Sequence, residues 1–129
     1  MREILIRNEE EIREYLEDVK QAIRKGKYNI ALREKNEKLS IQYIFLEDMK
    51  KKILLDLRIE DFCEAVQNEK PEYSHEILYV FGKDVYLLPR FGGEKEKISL
   101  YIKINKLQSS FCIIVSFHEQ EFPLIYAFK

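Results

Sequence analysis

The sequence is poor in the residues that divide a chain into segments or bind metal ions. Its 129 residues include four glycines, three prolines, two cysteines, two histidines and no tryptophan. Without a Gly-, Pro- or Ser-rich linker, a chain of this length favours one domain with one core, over residues 1–129. Because a zinc site needs several Cys or His ligands at close spacing, this sparse set predicts no metal and no cofactor.

Long apolar runs and a strong excess of one charge are also absent. No stretch approaches the ~20 apolar residues that a membrane-spanning helix needs, and the N-terminal MREILIRNEEEI lacks the apolar segment of a secretion signal. Cys63 and Cys112 are far apart, which favours reduced, mostly buried thiols in a cytoplasmic protein. A formal net charge of −1 argues against a broad basic face for duplex DNA. We therefore expect a cytoplasmic protein that binds neither a membrane nor, by itself, duplex DNA.

Apolar residues recur at helical spacing in the first half of the chain. This pattern predicts a helix over residues 9–25, capped by Asn8 with Glu11 three residues further on. We expect a short strand in KYNIALR and a short helix in EKNEKL. Further helices are expected in LEDMKKKILLDL and RIEDFCEAV, so the helical part spans about residues 1–70.

Strand-forming residues dominate the second half, about residues 71–129. Strands are predicted in HEILYVFGKDVYLL, ISLYIKINKL and SFCIIVSFH, with a loop at PRFGGEKEK and a short edge strand in EFPLIYAF after Pro123. Helices followed by a meander of strands indicate an α+β fold. We expect a small antiparallel sheet packed against the N-terminal helices.

Alternation along the last two long strands sorts polar from apolar side chains. A tight turn after residue 108 would place Tyr101 opposite Ser116 and His118 opposite Ser99. Two apolar sets would then share the core face: Leu100, Ile102 and Ile104 of one strand, and Phe111, Ile113, Val115 and Phe117 of the next. The polar side chains, Lys103 among them, gather on the other face.

Tyrosine, lysine and histidine on one face suit the cleavage of RNA phosphodiesters. Histidine side chains in general titrate near neutrality and can serve as acid or base, so His118 is the candidate for proton transfer. Lys103 supplies positive charge for the phosphorane, and Tyr101 can stack a base or contact a phosphate. An ordinary solvated sheet face has the same composition, and the residues by themselves favour that interpretation.

Other polar residues are candidate RNA contacts. Lys83, taken as the end of a strand, could bind a phosphate, although a charged strand end explains it equally well. Arg90 is a similar case, and Ser116 shares the polar face. Arg33 is most simply a solvated helix start.

Ordered fragments of the sequence resemble the MqsR-type toxins (motility quorum-sensing regulator family) of bacterial type II toxin–antitoxin systems. The fragments are ILLDLRIEDF, VFGK, YIKI and VSFHEQEFPLIY, within residues 53–126, with a weaker echo at LREKNEKL. The resemblance implies a RelE-like fold and a metal-independent endoribonuclease that cleaves mRNA. It implies two partners, mRNA (with association with the ribosome left open) and a cognate antitoxin. Tyr101 falls at a functional tyrosine of the family, whereas His118 replaces a functional lysine.

Two further positions depart from the family pattern. A functional lysine falls on or near Glu64, and a functional glutamine falls near Val80. These departures favour an alternative, a catalytically inactive toxin-like binding module that acts through a protein partner. A structural or regulatory α+β domain without an RNA role is the third possibility.

Overall fold

One sheet and a set of helices are formed by residues 4–129, the part of the chain that this computed structural model describes. Residues 1–3, the start of the stretch expected to lack a secretion signal, lie outside the described residues. The helices are α1 (Glu9–Arg24), α2 (Glu34–Gln42) and α3 (Glu47–Leu55). The strands are β1 (Ile4–Leu5), β2 (Tyr28–Ile30), β3 (Phe62–Gln67), β4 (Ile77–Leu87), β5 (Glu96–Lys106) and β6 (Cys112–Glu119).

The six strands found within residues 4–129 form one sheet in the order β1-β3-β4-β5-β6-β2. Neighbouring strands are antiparallel, except that β2 runs parallel to β6. The α+β class is therefore confirmed. Within this described range, no helix combines the length and apolar character needed to cross a membrane.

Helix α1 has the predicted cap and covers one face of the sheet. The Asn8 Oδ1 atom accepts a hydrogen bond from the Glu11 amide at 2.9 Å, and the Asn8 amide donates to Glu11 Oε1 at 3.1 Å. Its buried side chains are Ile12, Tyr15, Leu16, Val19, Ala22 and Ile23. The Tyr15 ring stacks on Tyr79 of β4 with centroids 3.7 Å apart. The core therefore lies between the helices and this face, and the site described below lies on the opposite face.

The segment RIEDFCEAV contains a 3₁₀ turn followed by a strand, so the α-helix predicted there is wrong. A 3₁₀ turn at Ile59–Asp61 leads directly into β3, which pairs with both β1 and β4. Phe62, Ala65 and Val66 are buried, and their spacing fits a helix as well as a strand covered on both faces. Pairing with β4 decides between them. Three strands therefore come from the first 70 residues.

The C-terminal segment EFPLIYAF crosses the sheet as an extended tail and is not the predicted edge strand. Leu124 and Tyr126 pack directly over Gly82 of β4, where a Cβ atom would clash with the Tyr126 hydroxyl group. The Ala127 amide donates to the Phe62 carbonyl oxygen at 3.0 Å. The tail therefore lies across the strands, at a place where glycine gives it room.

Candidate active site

The β5–β6 register brings Tyr101 and His118 directly opposite each other. The other pair in this region is Lys103 with Ser116. The predicted partners of Tyr101 and His118 were each two positions away, so the predicted register is wrong. A shift of two residues leaves every side chain on its original face, so these four residues share the polar face as predicted.

A β-bulge at Val115 changes the faces within β6. Lys103 pairs with Ser116, but the next residue, Ile104, pairs with Ile114, so Val115 is an extra residue. Before the bulge, Cys112 and Ile114 occupy the buried core positions. The predicted core-facing positions of Ile113 and Val115 are therefore wrong, whereas Phe117, after the bulge, is buried as predicted.

Helix α2 supports this bulge with a buried asparagine. The Phe117 amide donates to Asn36 Oδ1 at 2.8 Å, and Asn36 Nδ2 donates to the Val115 carbonyl oxygen at 3.1 Å. Asn36 is only 3% exposed. Arg33 Nη1 donates to the same carbonyl oxygen at 3.0 Å and to Ser116 Oγ at 3.2 Å. These bonds place the Arg33 guanidinium on the polar face beside Ser116.

The geometry around His118 defines which of its nitrogens is available. Its imidazole stacks on the Tyr101 ring, with centroids 5.3 Å apart and 11° between the planes. His118 Nδ1 lies 2.9 Å from the Glu119 carbonyl oxygen, which can only accept a hydrogen bond. Nδ1 therefore has the proton, and Nε2 is an acceptor in the neutral ring and a donor in the imidazolium. The Lys103 ammonium lies 5.9 Å from the Tyr101 ring centroid.

These side chains line a cavity of about 200 Å³, which we call the sheet cavity. Its lining residues are Arg33, Lys35, Glu64, Tyr101, Lys103, Ser116, His118, Glu121, Phe122 and Leu124. Lys35 Nζ lies 2.6 Å from Glu121 Oε1, and its hydrogen bond lowers the pKa of that carboxyl group. The cavity therefore combines positive charge with a histidine, a tyrosine and two carboxylates, and such a set can bind a phosphate and transfer protons.

Two predicted RNA contacts lie elsewhere. Lys83 is in the middle of β4, on the core side, where it pairs with Leu100, so its expected place at a strand end is wrong. Its ammonium lies 3.1 Å from Asp61 Oδ2. Arg90 Nε donates to the Ser40 carbonyl oxygen at 2.8 Å, at the end of α2. Neither residue lines the sheet cavity.

The two departures from the family pattern are neighbours on the polar face. Glu64 pairs with Val80, Val80 pairs with Lys103, and Lys103 pairs with Ser116, so they form one row across four strands. Val80 is fully buried, whereas Glu64 lines the sheet cavity. The site therefore has a carboxylate in the row that also contains Lys103.

Sequence reasoning missed several residues of the sheet cavity. The sequence favours a solvated helix start for Arg33, although this residue belongs to the LREKNEKL fragment. Lys35 is the neighbour of Asn36 in the sequence. The hydrogen bonds of Asn36 to β6 hold the start of α2 against that strand, and Lys35 with it. Phe122 and Leu124 belong to the tail, whose path across the sheet leaves no periodic pattern in the sequence.

Comparisons with known proteins do not assign this chain to a family. A scan against protein-family models and a search of curated proteins each find no match for this chain. Membership of the MqsR-type family is therefore a proposal, while the α+β class rests on the structure. Within residues 4–129, no group of three or more His, Cys, Asp or Glu side chains is placed to hold a metal ion.

Proposed function

We propose that this protein is a metal-independent endoribonuclease that cleaves single-stranded mRNA, acting as the toxin of a type II toxin–antitoxin system. One observation supports the proposal above all. His118 of β6 stacks on Tyr101 of β5, and its Nδ1–H donates a hydrogen bond to the Glu119 carbonyl oxygen. The two rings line the cavity that Arg33 and Lys103 also line. The resemblance to MqsR-type toxins supplies the toxin class, and with it a cytoplasmic location, a cognate antitoxin and mRNA as partners.

The reaction uses the substrate's own 2′-hydroxyl group as nucleophile. A bond forms between O2′ and phosphorus while the bond from phosphorus to O5′ breaks, which gives a 2′,3′-cyclic phosphate and a 5′-hydroxyl end. One protein group must accept the 2′-hydroxyl proton, and another must protonate O5′. His118 performs one of these transfers, and Lys103 and Arg33 stabilise the additional negative charge on the phosphorane.

The recognition of RNA follows from the same side chains. Tyr101 and His118 present adjacent aromatic rings beside two cationic groups, a combination that suits an unstacked base and its phosphate. The sheet cavity is small, so a duplex does not fit, and a single strand must enter it. The near-neutral net charge of −1 agrees with a local site.

A second candidate function has its own observation. The Glu64 carboxylate and the Lys35–Glu121 ion pair offset part of the positive charge in the cavity, and buried Val80 stands where the family has a glutamine. These features favour a toxin-like binding module that acts through a protein partner without cleaving RNA. The two functions differ in whether the purified protein breaks an RNA bond.

The test is cleavage of single-stranded RNA by the purified protein in excess chelator. We expect cyclic phosphate and 5′-hydroxyl ends, and no cleavage at a bond whose nucleotide has a 2′-deoxy sugar. Expression in cells should arrest growth and cleave transcripts, and co-expression of the cognate antitoxin should restore growth. A protein that neither arrests growth nor cleaves RNA, but forms a stable complex with that partner, would establish the binding module instead.

A further inference from the structure

Glu64 and His118 lie at opposite ends of the sheet cavity. Glu64 is on β3 and His118 on β6, with β4 and β5 between them. Three strand spacings separate these strands, about 14 Å between backbones. Both side chains line the same cavity. Tyr101 and Lys103, on β5, lie between them.

This arrangement matches the geometry of an in-line displacement at phosphorus. The attacking O2′ and the departing O5′ lie on opposite sides of the phosphorus atom, so one side chain cannot serve both oxygens well. A phosphate above Lys103 would have Glu64 on one side and His118 on the other. The Arg33 and Lys103 cations are then close to its equatorial oxygens.

We propose that Glu64 is the general base and His118 the general acid of this site, an assignment that rests on the proposed function. The Glu64 carboxylate accepts the 2′-hydroxyl proton as the O2′–phosphorus bond forms. The bond from phosphorus to O5′ breaks, and the His118 imidazolium donates its Nε2 proton to O5′. Glu64 ends protonated and His118 neutral, and proton exchange with water restores both.

A contact of His118 and the position of Glu64 support these roles. The Glu119 carbonyl oxygen accepts a hydrogen bond from Nδ1–H of His118, so the proton that the imidazolium can donate to substrate is the one on Nε2. The other carboxylate of the cavity, Glu121, lies beside the acid and not opposite it. Glu121 follows His118 by three residues, and the two line a second cavity together, next to α2. Glu64 is therefore the carboxylate placed opposite the acid.

A substrate with a good leaving group distinguishes the loss of the general acid from the loss of the general base. The 4-nitrophenyl esters of the four nucleoside 3′-phosphates release 4-nitrophenolate, which needs no proton to depart, whereas a ribonucleotide O5′ does. We expect His118→Ala to lose about 10²- to 10⁴-fold in cleavage of RNA but about tenfold or less on the esters. We expect Glu64→Gln to lose about 10²- to 10⁴-fold on both substrates, since both need the 2′-hydroxyl proton removed.

Matched variants make the outcome decisive. Glu69→Gln, an exposed site just after β3, should keep wild-type rates, and urea unfolding should show that Glu64→Gln is folded. The assignment is overturned if Glu64→Gln keeps its rate on both substrates, recovers on the esters, or retains activity where Glu121→Gln loses it. Such results would leave RNA cleavage by the wild type intact. A wild-type protein that cleaves neither substrate overturns the proposed function together with the assignment.

Discussion

The Tyr101 ring lies against the His118 imidazole, directly across the β5–β6 pair, with 5.3 Å between centroids and 11° between planes. Histidine side chains on strands have rotational freedom, and an aromatic neighbour restricts it. The Nδ1 contact with the Glu119 carbonyl oxygen restricts it further. Together these two contacts fix the orientation of the His118 ring, which lines the sheet cavity.

Removing the Tyr101 ring should therefore impair cleavage more than removing its hydroxyl group. We expect Tyr101→Ala to lower the single-turnover rate by about 10²-fold, since small displacements of reacting groups cost that much. Tyr101→Phe keeps the stacked ring and should stay within about tenfold of wild type. Tyr86→Ala, at an exposed position of β4, is the control. Equal losses for the two Tyr101 variants would assign the role to the hydroxyl group.

The two histidines of the chain form a natural pair of test and control. His118→Ala should reduce RNA cleavage by about 10²- to 10⁴-fold, the usual contribution of a proton-transfer group. Binding of a 2′-O-methyl RNA that cannot be cleaved should change only a few fold, measured by fluorescence anisotropy. His75→Ala changes an exposed residue that does not line the sheet cavity. An active His118→Ala protein would remove His118 from the mechanism.

Asn36 should matter for stability and for activity alike. Asn36→Ala leaves the buried Phe117 amide without its 2.8 Å partner, which costs about 1–3 kcal/mol in the free energy of unfolding. Because the bulge also orients His118, the cleavage rate should fall with it. Urea denaturation measures the first effect, with Asn29→Ala, at the exposed position of β2, as the control. If both variants unfold at the same urea concentration, the bulge does not depend on Asn36.

Gly82 should be required for the tail to cross the sheet. A Cβ atom at this position would clash with the Tyr126 hydroxyl group and the Leu124 side chain, so Gly82→Ala should destabilise the fold by about 1–3 kcal/mol. In the double variant with Tyr126→Ala, the cost of the added methyl group should be smaller, since its main obstacle is gone. Urea denaturation of the four proteins in this cycle measures the difference. Strict additivity would show that the tail does not press on Gly82.

The cysteine thiols should be unreactive in the folded protein. Burial raises the pKa of the Cys63 thiol to about 12 and that of Cys112 to about 11, whereas an unfolded cysteine titrates near ~8.5. The folded state therefore favours the protonated thiols, a contribution to stability that is complete below about pH 8.5 and is lost as the pH rises toward 11–12.

Two measurements check the raised thiol pKa values and the loss of stability with rising pH. At pH 8, a disulfide reagent such as 5,5′-dithiobis(2-nitrobenzoate) should label the native protein far more slowly than the urea-unfolded protein. Between pH 8 and 10.5, the urea midpoint should fall more steeply for wild type than for Cys63→Ala. Rapid labelling of the native protein at pH 8 would contradict the raised pKa values of the two thiols.

Local sequence determined the elements whose stabilising contacts are close along the chain. The cap of α1 follows from Asn8 and Glu11, and alternation in β5 placed Tyr101 and Lys103 on one face. Ser116 and His118 lie on the same face, as predicted, because the predicted β5–β6 register differs from the observed one by two residues, an even number. The sequence could therefore indicate the polar face without the right register.

The tertiary structure decided what depends on residues far apart in the chain. β3 is a strand because it pairs with β1 and β4, although its apolar spacing also fits a helix. β4 does not end at Lys83 but continues through Asp84, which accepts a hydrogen bond from Ser99 at 2.7 Å. Lys83 therefore has a position within the strand, on the core side. Asn36 and the bulge bring Arg33 to the site, and the strand order sets Glu64 opposite His118. Periodicity reports which face a residue occupies, but only long-range pairing decides which residues meet there.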